Sequence, residues 1–357
     1  MINVTKPYLP NIETYKKYID AIWESGHLTN NGQFCKKLEK ELCDFLSVDN
    51  CIYVNNGTIA LQIALKTLSA NKNEIITTPF SYVATTNSIL WEGYNPVFCD
   101  INDSDFCIDS SKIEDKITDN TVAIVATHVF GNPCDVEEIE KIGKKYNIKV
   151  IYDGAHAFGT SYRNQSLLSY GDISICSFHA TKLFHTAEGG CIITNDKSLI
   201  DKMVLFRQFG HIGENYLSIG INGKSSELHA AMGLCILPEI NNIINNRRKI
   251  SEIYDFELGS ELKKPSVKFH TNYNYAYYPI KFQNENQLNK AVKYLNKKNI
   301  FPRRYFYPSL NNLPFLKEYI SCPISDHVAE TILCLPLYFN LTSIDVKNIS
   351  KIINDSL

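Results

Sequence analysis

The sequence predicts an α/β protein built on a mostly parallel sheet, followed by a smaller α+β part. Three observations predict this class. Short apolar segments bounded by turn residues recur along the chain, segments with helical spacing separate several of them, and this alternation stops near Pro238. A chain of 357 residues, 44% of them hydrophobic, can bury the cores of two domains. We therefore predict a large domain over residues 1–238 and a small domain over residues 239–357.

The large domain is predicted from two helices and a series of strands. Apolar residues recur at helical spacing over residues 58–68, after the turn residues 55–57, and again over residues 136–146. The short apolar segments that predict strands lie at residues 74–78, 96–100, 123–127, 150–153 and 173–177. Gly189-Gly190 then leads into one more apolar strand. This alternation is typical of βαβ units and of a parallel sheet.

The small domain is predicted from a change in the character of the sequence. An Asn-rich helix over residues 239–254 leads to a Tyr-rich, strand-like stretch at 272–282. A second helix follows at about residues 286–296, and then a segment rich in Pro and Tyr at 301–308. Helices and strands that do not alternate regularly favour an α+β arrangement.

Composition excludes several classes of protein. The formal net charge is -2, with 36 basic and 38 acidic residues, whereas a nucleic-acid-binding protein normally has a basic patch or stripe. The eleven cysteines include no Cys-x-x-Cys pair, which favours a reduced protein with small core thiols. The first seven residues lack the order of a signal peptide, and no apolar run reaches membrane-spanning length. We expect a cytoplasmic protein that binds neither nucleic acid nor a membrane.

Two ionisable residues follow predicted strands at positions suited to chemistry. Lys182 lies just beyond the strand at 173–177, although most lysines simply extend into solvent. Asp153 ends the strand at 150–153, where open α/β sheets place ligand-binding groups. On its own, Asp153 could equally be a helix N-cap.

Together these residues predict a site for pyridoxal 5'-phosphate (PLP). PLP enzymes need a lysine amine that bonds the cofactor and a carboxylate that keeps its pyridine nitrogen protonated. Lys182 and Asp153 lie 29 residues apart, at the ends of successive predicted strands. The turn 56–58 opens a helix, whose amides and dipole suit a phosphate, and Ser177 can add a hydroxyl. Alone, that turn would be only a tight turn with a cap.

The motifs in combination resemble a known family. The chain contains Asn-Gly-Thr at 56–58, Thr-Pro-Phe-Ser-Tyr-Val-Ala-Thr at 78–85, Asp-Gly-Ala-His-Ala at 153–157 and Ser-Phe-His-Ala-Thr-Lys at 177–182 with Glu-Gly-Gly at 188–190. In this combination they resemble the motifs of the DegT/DnrJ/EryC1/StrS sugar aminotransferases. The resemblance runs from residue 4 to about residue 339. It implies a fold-type I, aspartate-aminotransferase-like PLP enzyme acting on nucleotide-linked keto-sugars. The segments 28–32, 131–135 and 179–188 are most similar to 4-aminotransferases that make viosamine-type sugars.

The resemblance also implies a role for each cofactor-binding position. Lys182 takes the position that bonds PLP and moves the proton, and Asp153 the position that pairs with the pyridine nitrogen. Tyr82 matches the aromatic residue that stacks on the ring, although a core aromatic is the alternative. His156 matches the position beside the phenolic oxygen, although a buried structural histidine is the alternative. The phosphate positions are matched by Asn56, Gly57, Thr58 and Ser177, together with Asn222 from the partner subunit of a homodimer with shared sites.

The sequence departs from the family pattern at several positions. Asn56 stands where serine is usual, so one phosphate contact is lost or comes from the amide. Gly154 replaces a common alanine, which suggests extra room below the cofactor. Lys224 replaces a frequent arginine, and lysine lacks bidentate geometry toward a phosphate or carboxylate. The retained Lys182 excludes the family's dehydratase branch, in which histidine takes that place.

Four residues are predicted to contact the substrate: His185, Lys224, Arg303 and Tyr305. In the segment 301–308, Arg303 and Arg304 could bind a pyrophosphate, because an arginine fork binds two oxygens at once. Tyr305 offers an aromatic face to the base. The alternative for this segment is a surface turn with solvated arginines.

The resemblance implies transfer of an amino group from glutamate to dTDP-4-keto-6-deoxy-D-glucose. The product would be the dTDP-4-amino-4,6-dideoxy sugar for O-antigen or other glycan biosynthesis. A C3-aminotransferase and a UDP-sugar aminotransferase of the same family stay open, as do another PLP reaction such as decarboxylation and a non-catalytic regulator. Metal and dinucleotide chemistry are disfavoured, because the nine histidines form no ligand cluster and no Gly-x-Gly-x-x-Gly follows the first strand.

Overall fold

A seven-stranded sheet organises the larger part of the chain. The computed structural model describes residues 1–68 and 71–357. The strands are β1 (Ile2–Asn3), β2 (Cys51–Val54), β3 (Glu74–Thr77), β4 (Asn95–Phe98), β5 (Thr121–Thr127), β6 (Lys149–Asp153), β7 (Ser161–Tyr162), β8 (Gln165–Ser166), β9 (Ile173–Ser177), β10 (Gly190–Ile193), β11 (His211–Ile212), β12 (Asn215–Tyr216), β13 (Thr271–Asn272), β14 (Tyr278–Lys281), β15 (Ile300–Phe301) and β16 (Ile332–Leu335). The α-helices are α1 (Ile12–Ser25), α2 (Gln33–Leu46), α3 (Gly57–Lys66), α4 (Val83–Trp91), α5 (Val136–Tyr146), α6 (Lys197–Arg207), α7 (Glu227–Ile236), α8 (Ile240–Glu257), α9 (Glu285–Lys297), α10 (Pro323–Thr331) and α11 (Ser343–Asn354). Among the described residues no helix combines the length and the apolar character needed to cross a membrane.

The strands of the central sheet lie in the order β2-β10-β9-β6-β5-β3-β4. Only β10 runs against its neighbours, pairing antiparallel with both β2 and β9. In the parallel part, Thr127 lies beside Asp153 and Asp153 beside Ile175. The carboxyl ends of β5, β6 and β9 therefore meet at one edge of the sheet. The predicted mostly parallel α/β architecture is confirmed.

Helices cover both faces of this sheet, which explains the nearly continuous apolar strands. Successive side chains point to opposite faces, as β6 illustrates. Val150 and Tyr152 pack in the cluster that contains residues of α2, α5 and α7. Ile151 packs in the cluster that contains residues of α3, α4 and α6. The sheet is thus the middle layer of three.

The predicted helix at 136–146 and strand at 173–177 have the bounds of α5 and β9. The predictions had no counterpart for α1, α2 or β2. The start of α2 depends on a distant residue, because the buried carboxylate of Glu227 accepts hydrogen bonds from the amides of Phe34 (2.7 Å) and Cys35 (3.0 Å). A cap supplied from about 190 residues away leaves no local sequence signal.

The C-terminal part has the expected mixed character. Strands β14 and β16 pair antiparallel, and residues of α8, α9 and α11 share their apolar cluster. Strand β1 pairs with β15, so the first residues of the chain pack with the last third. Helix α8 joins the two parts, since Ile240 and Ile243 lie in the main cluster and Ile250 and Tyr254 in the C-terminal one. The domain boundary at residue 238 stays a prediction.

The strand predicted at 272–282 is wrong in its middle. The structure has two short strands there, β13 and β14, separated by irregular chain. Tyr275 has a left-handed φ of 52°, which no strand accommodates. The buried side chain of Asn274 donates hydrogen bonds to the carbonyls of His156 (2.8 Å) and Phe158 (2.9 Å). These contacts turn the segment inward and carry Tyr277 toward the edge of the sheet where β5, β6 and β9 end.

Candidate active site

A cavity of about 550 Å³ lies where the carboxyl ends of β5, β6 and β9 meet. This is the edge at which open α/β sheets place their ligands. The starts of α3 and α4 and the segment 303–306 complete its walls. The predicted site residues that line it are Asn56, Gly57, Thr58, Tyr82, Asp153, His156, Ser177, Lys182, Arg303 and Tyr305. Residues from five separate parts of the sequence are thus brought to one place.

Lys182 lies in the loop between β9 and β10, and its side chain reaches into the cavity. Its Nζ donates a hydrogen bond to Oη of Tyr277 at 3.4 Å. Burial lowers the pKa of Lys182, and the nearby Tyr305 and Asp153 partly oppose this effect. A lowered pKa leaves more of the amine neutral, which is the form that acts as a nucleophile or base.

Asp153 is buried, with 6% of its surface exposed, and both carboxylate oxygens are fixed. Oδ1 accepts a hydrogen bond from the amide of Ala155 at 3.0 Å. Oδ2 accepts one from the hydroxyl of Thr85 at 2.8 Å. A turn, not a helix, follows Asp153 in this described stretch of chain. The alternative of a helix N-cap is therefore wrong.

The start of α3 forms one end of the cavity. The side chain of Asn56 is the N-cap, and its Oδ1 accepts the amide proton of Ile59 at 2.8 Å. A Cβ atom on Gly57 would lie only 2.8 Å from Cβ of Ser177, so glycine is needed for α3 to approach the end of β9 this closely. This packing places the first amides of α3, from Gly57 and Thr58, near the Ser177 hydroxyl. Such an arrangement favours an anion.

His156 is buried beside Lys182, and its ring is oriented by its neighbours. Nδ1 accepts a hydrogen bond from the amide of Phe130 at 3.2 Å, so in the neutral ring Nε2 carries the proton. The ring lies nearly parallel to that of Phe306, with centroids 5.6 Å apart. Burial, and secondarily the charge of Lys182, lowers the pKa of His156 well below its usual value. The imidazole is therefore neutral and can donate one hydrogen bond into the cavity.

Tyr82 and Tyr277 both lie near Lys182, and they differ in environment. Tyr82 is the N-cap residue of α4 and is 51% exposed, with its ring on the cavity wall. Tyr277 has its ring centroid 4.4 Å from that of His156, and burial raises its pKa. Sequence reasoning missed Tyr277, because nothing local distinguishes it from the other tyrosines of the segment 272–282.

His185 does not line the cavity, which contradicts its predicted contact with substrate. Only 2% of its surface is exposed. Its Nε2 donates to the carbonyl of Tyr8 at 2.8 Å, and Nδ1 accepts the amide proton of Ala187 at 3.2 Å. Both ring nitrogens therefore form hydrogen bonds within the protein, and these fix the loop that carries Lys182. Proximity in sequence did not reveal this, because the side chain points away from the cavity.

The segment 301–308 separates its two arginines. Arg303 lines the cavity, with its guanidinium 4.6 Å from the ring centroid of Tyr305. Arg304 instead donates to Glu285 at 3.0 Å and to the carbonyls of Ala329 and Glu330. The expectation that both arginines reach a pyrophosphate is therefore wrong for Arg304, which ties the segment to α9 and α10.

Asn222 and Lys224 lie outside the cavity of their own chain. Nζ of Lys224 donates to Oδ1 of Asn222 at 2.9 Å and lies 4.5 Å from the ring centroid of Phe209. Both follow the β11–β12 hairpin. The segment 209–219, which contains this hairpin, exposes several large apolar side chains: Phe209, Ile212, Tyr216, Leu217 and Ile219. This position is compatible with a contribution across a subunit interface, which stays a prediction.

Gly154 does not provide the expected extra room. A Cβ atom there would lie 2.3 Å from Cδ2 of Leu168 and 2.9 Å from the carbonyl oxygen of Ile175. The space is already filled by the chain itself, so glycine is required by packing beneath the end of β6.

Comparison with known proteins identifies relatives over nearly the whole chain. A family model described as the DegT/DnrJ/EryC1/StrS aminotransferase family matches residues 11–354. The dTDP-4-amino-4,6-dideoxy-D-glucose transaminase of Shigella dysenteriae is 41% identical over 355 residues, covering 96% of this chain and 95% of the relative. The transaminase of the same name from Escherichia coli is 39% identical, with coverages of 99% and 98%. The structure of Helicobacter pylori PseC, an aminotransferase involved in the biosynthesis of pseudoaminic acid, superposes with a TM-score of 0.92 at 30% identity, with coverages of 99% and 98%.

Proposed function

Because the chain belongs to the DegT/DnrJ/EryC1/StrS aminotransferase family, we propose that it transfers an amino group from glutamate to dTDP-4-keto-6-deoxy-D-glucose. The product is then dTDP-4-amino-4,6-dideoxy-D-glucose, the sugar in the names of its relatives. The observation that carries this proposal is the cavity in which Lys182, Asp153 and the start of α3 meet. Use of the product in O-antigen or another glycan, and a cytoplasmic location, remain predictions from the sequence.

The residues of the cavity fit PLP, on which this family depends. When bound, its ring supplies an electron sink that makes the proton on an amine-bearing carbon removable. Lys182 would hold the cofactor covalently, and Asp153 would face the pyridine nitrogen. The close approach of Gly57 to Ser177, which excludes any Cβ, leaves an anion-binding end suited to the phosphate.

The side chains around Lys182 suit it for proton transfer between substrate carbons. Burial lowers its pKa, which brings the amine closer to the range useful for a general base. The 3.4 Å contact with Oη of Tyr277 gives the amine a defined position when it is not bonded to the cofactor. His156, neutral with its proton on Nε2, is placed to donate to an oxygen of the bound ring.

Arg303 and Tyr305 are our proposed contacts to the sugar nucleotide. Arg303 is exposed at the cavity wall, and a guanidinium binds two phosphate oxygens at once. Tyr305 is half-buried beneath it and offers a ring face to the base or the sugar. These contacts would leave the Lys182 end of the cavity free for the ketone and, in the other half-reaction, for the donor.

Initial-rate kinetics and product analysis test the proposed function. We expect parallel double-reciprocal lines when glutamate and dTDP-4-keto-6-deoxy-D-glucose are varied, because one lysine must serve both substrates in turn. Mass spectrometry and NMR should locate the new amino group at C4. Intersecting lines would reject the alternating order. Amination at C3, or faster reaction with a UDP-linked keto-sugar, would assign the chain to another branch of the family.

We further propose that the active enzyme is a homodimer with shared sites. The exposed apolar side chains of the β11–β12 hairpin support this, since large exposed apolar patches mark interaction surfaces. Asn222, which follows that hairpin in sequence, carries the amide that would reach the partner's phosphate site, and Lys224 beside it would contact the substrate.

Asn222→Ala should weaken PLP binding about tenfold or more, because hydrogen bonds to a charged phosphate are strong. Fluorescence titration of the apo-protein with PLP measures this, and size-exclusion chromatography reports the oligomeric state. Asn289→Ala, at an exposed position on α9, is the matched control and should bind PLP as the unaltered protein does. A monomer with full PLP occupancy would contradict the shared site.

A further inference from the structure

Three buried hydroxyl groups form a continuous hydrogen-bonded chain that ends on Asp153. Thr127 Oγ1 lies 3.0 Å from Ser81 Oγ, Ser81 Oγ lies 2.8 Å from Thr85 Oγ1, and Thr85 Oγ1 lies 2.8 Å from Asp153 Oδ2. The exposed fractions of Thr85, Ser81 and Thr127 are 0%, 1% and 3%. The three side chains are therefore almost wholly buried, and Ser81 and Thr127 lie at the wall of the cavity.

The direction of donation along this chain follows from counting protons. Each hydroxyl has one proton to donate. Thr85 donates its proton to the carboxylate of Asp153, so Ser81 must donate to Thr85. Thr127 in turn donates to Ser81. All three hydroxyl dipoles thus point toward Asp153, and neighbouring hydrogen bonds of this kind strengthen one another.

The chain joins three elements, α4, β5 and β6, that meet at the cavity. Ser81 precedes α4, Thr85 lies in its first turn, Thr127 ends β5 and Asp153 ends β6. The amide of Ala155 already holds one carboxylate oxygen, at 3.0 Å. The Thr85 hydroxyl holds the other, so rotation of the carboxylate about its last bond is blocked.

We propose that Thr85 is a positioning residue for the cofactor, acting through Asp153, with Ser81 and Thr127 supporting it. This inference rests on the proposed function, in which Asp153 faces the pyridine nitrogen of PLP. Hydrogen bonds at both oxygens hold the carboxylate in one orientation, and a carboxylate directed at the pyridine nitrogen keeps that nitrogen protonated. Thr85 thereby sets the electronic state of a ring that it does not itself touch.

Thr85→Val tests the proposal, because valine keeps the shape of threonine and lacks the hydroxyl. The apo-variant should bind PLP about tenfold more weakly, as expected for loss of a hydrogen bond to a charged group. With ¹⁵N-labelled PLP, the resonance of the pyridine nitrogen should move toward that of the unprotonated form. Thr85→Ser, which retains the hydroxyl, should restore both quantities. The NMR signal reports proton position and would not respond to a purely structural defect.

Thr86→Val is the matched control. Thr86 is the next residue of α4 and equally buried, yet among the described residues its hydroxyl has no hydrogen-bond partner. Its PLP affinity and ¹⁵N resonance should equal those of the unaltered protein. Equal changes in both valine variants, or none in Thr85→Val, would overturn the proposal.

Two further results separate this inference from the proposed function. If Thr85→Val does not fold, Ser81→Ala should move the ¹⁵N resonance in the same direction by a smaller amount, and an unmoved resonance would overturn the proposal. If the unaltered protein binds no PLP at all, the proposed function itself fails and this inference fails with it. Normal PLP binding with an unaffected Thr85→Val variant rejects only the role of Thr85.

Discussion

Replacement of Lys182 by alanine should reduce amino transfer by about 10³-fold or more, the largest effect of any single substitution we consider. Lysine supplies the amine that bonds the cofactor and the base that moves the proton, and alanine supplies neither. Within the described residues, Lys182 is the lysine that lines the cavity at the ends of β5, β6 and β9. No second lysine is therefore placed on the described cavity wall to supply the amine in its absence.

Borohydride reduction and absorption spectroscopy provide the measurement. The unaltered protein with PLP should show a visible absorption band that borohydride removes, and the peptide containing Lys182 should then carry the mass of the cofactor. Lys182→Ala should show no such peptide adduct. Lys197→Ala, at an exposed position on α6, is the control and should behave as the unaltered protein. Normal turnover by Lys182→Ala would refute the assignment of the catalytic lysine.

Asp153→Asn should reduce turnover by roughly 10²–10³-fold, the range found when a fixed electrostatic contact to the reacting group is lost. Asparagine has nearly the same shape as aspartate, and its oxygen can still accept the Thr85 hydroxyl proton. What it loses is the negative charge that holds a proton on the pyridine nitrogen. The effect should therefore appear in turnover and in the ¹⁵N resonance of bound PLP more than in folding.

A thermal unfolding scan and single-turnover rates with glutamate separate these effects. Asp153→Asn should unfold only a few degrees below the unaltered protein, because the amide oxygen retains one of the two hydrogen bonds and only the other is lost. Asp201→Asn, on the solvent side of α6, is the matched control for removal of one carboxylate. A turnover rate near normal for Asp153→Asn would show that the cofactor's pyridine nitrogen does not depend on this residue.

Local sequence was sufficient for much of the fold and for the location of the site. Strand β9 and helix α5 were predicted at their observed bounds, because their apolar periodicity extends over the whole element. Lys182, Asp153 and Gly57 line one cavity as expected, because each lies at or shortly after the end of a strand or at the start of a helix. The carboxyl ends of neighbouring parallel strands lie at the same edge of the sheet, so the residues that end these strands lie close together.

The sequence alone was sufficient to predict the α/β class and the resemblance to the family. It was also sufficient to locate the candidate site residues at the ends of β6 and β9 and in the turn before α3. Only the tertiary structure decided which side chains lie close to the reacting groups. Tyr277 and Thr85 were missed, although they contact Lys182 and Asp153. His185 and Arg304 were expected to contact the substrate, but they form hydrogen bonds with other parts of the chain. The physical reason is the range of the interactions. A strand or helix is favoured by residues adjacent in sequence, whereas the direction of a side chain depends on partners such as Tyr8, 177 residues from His185.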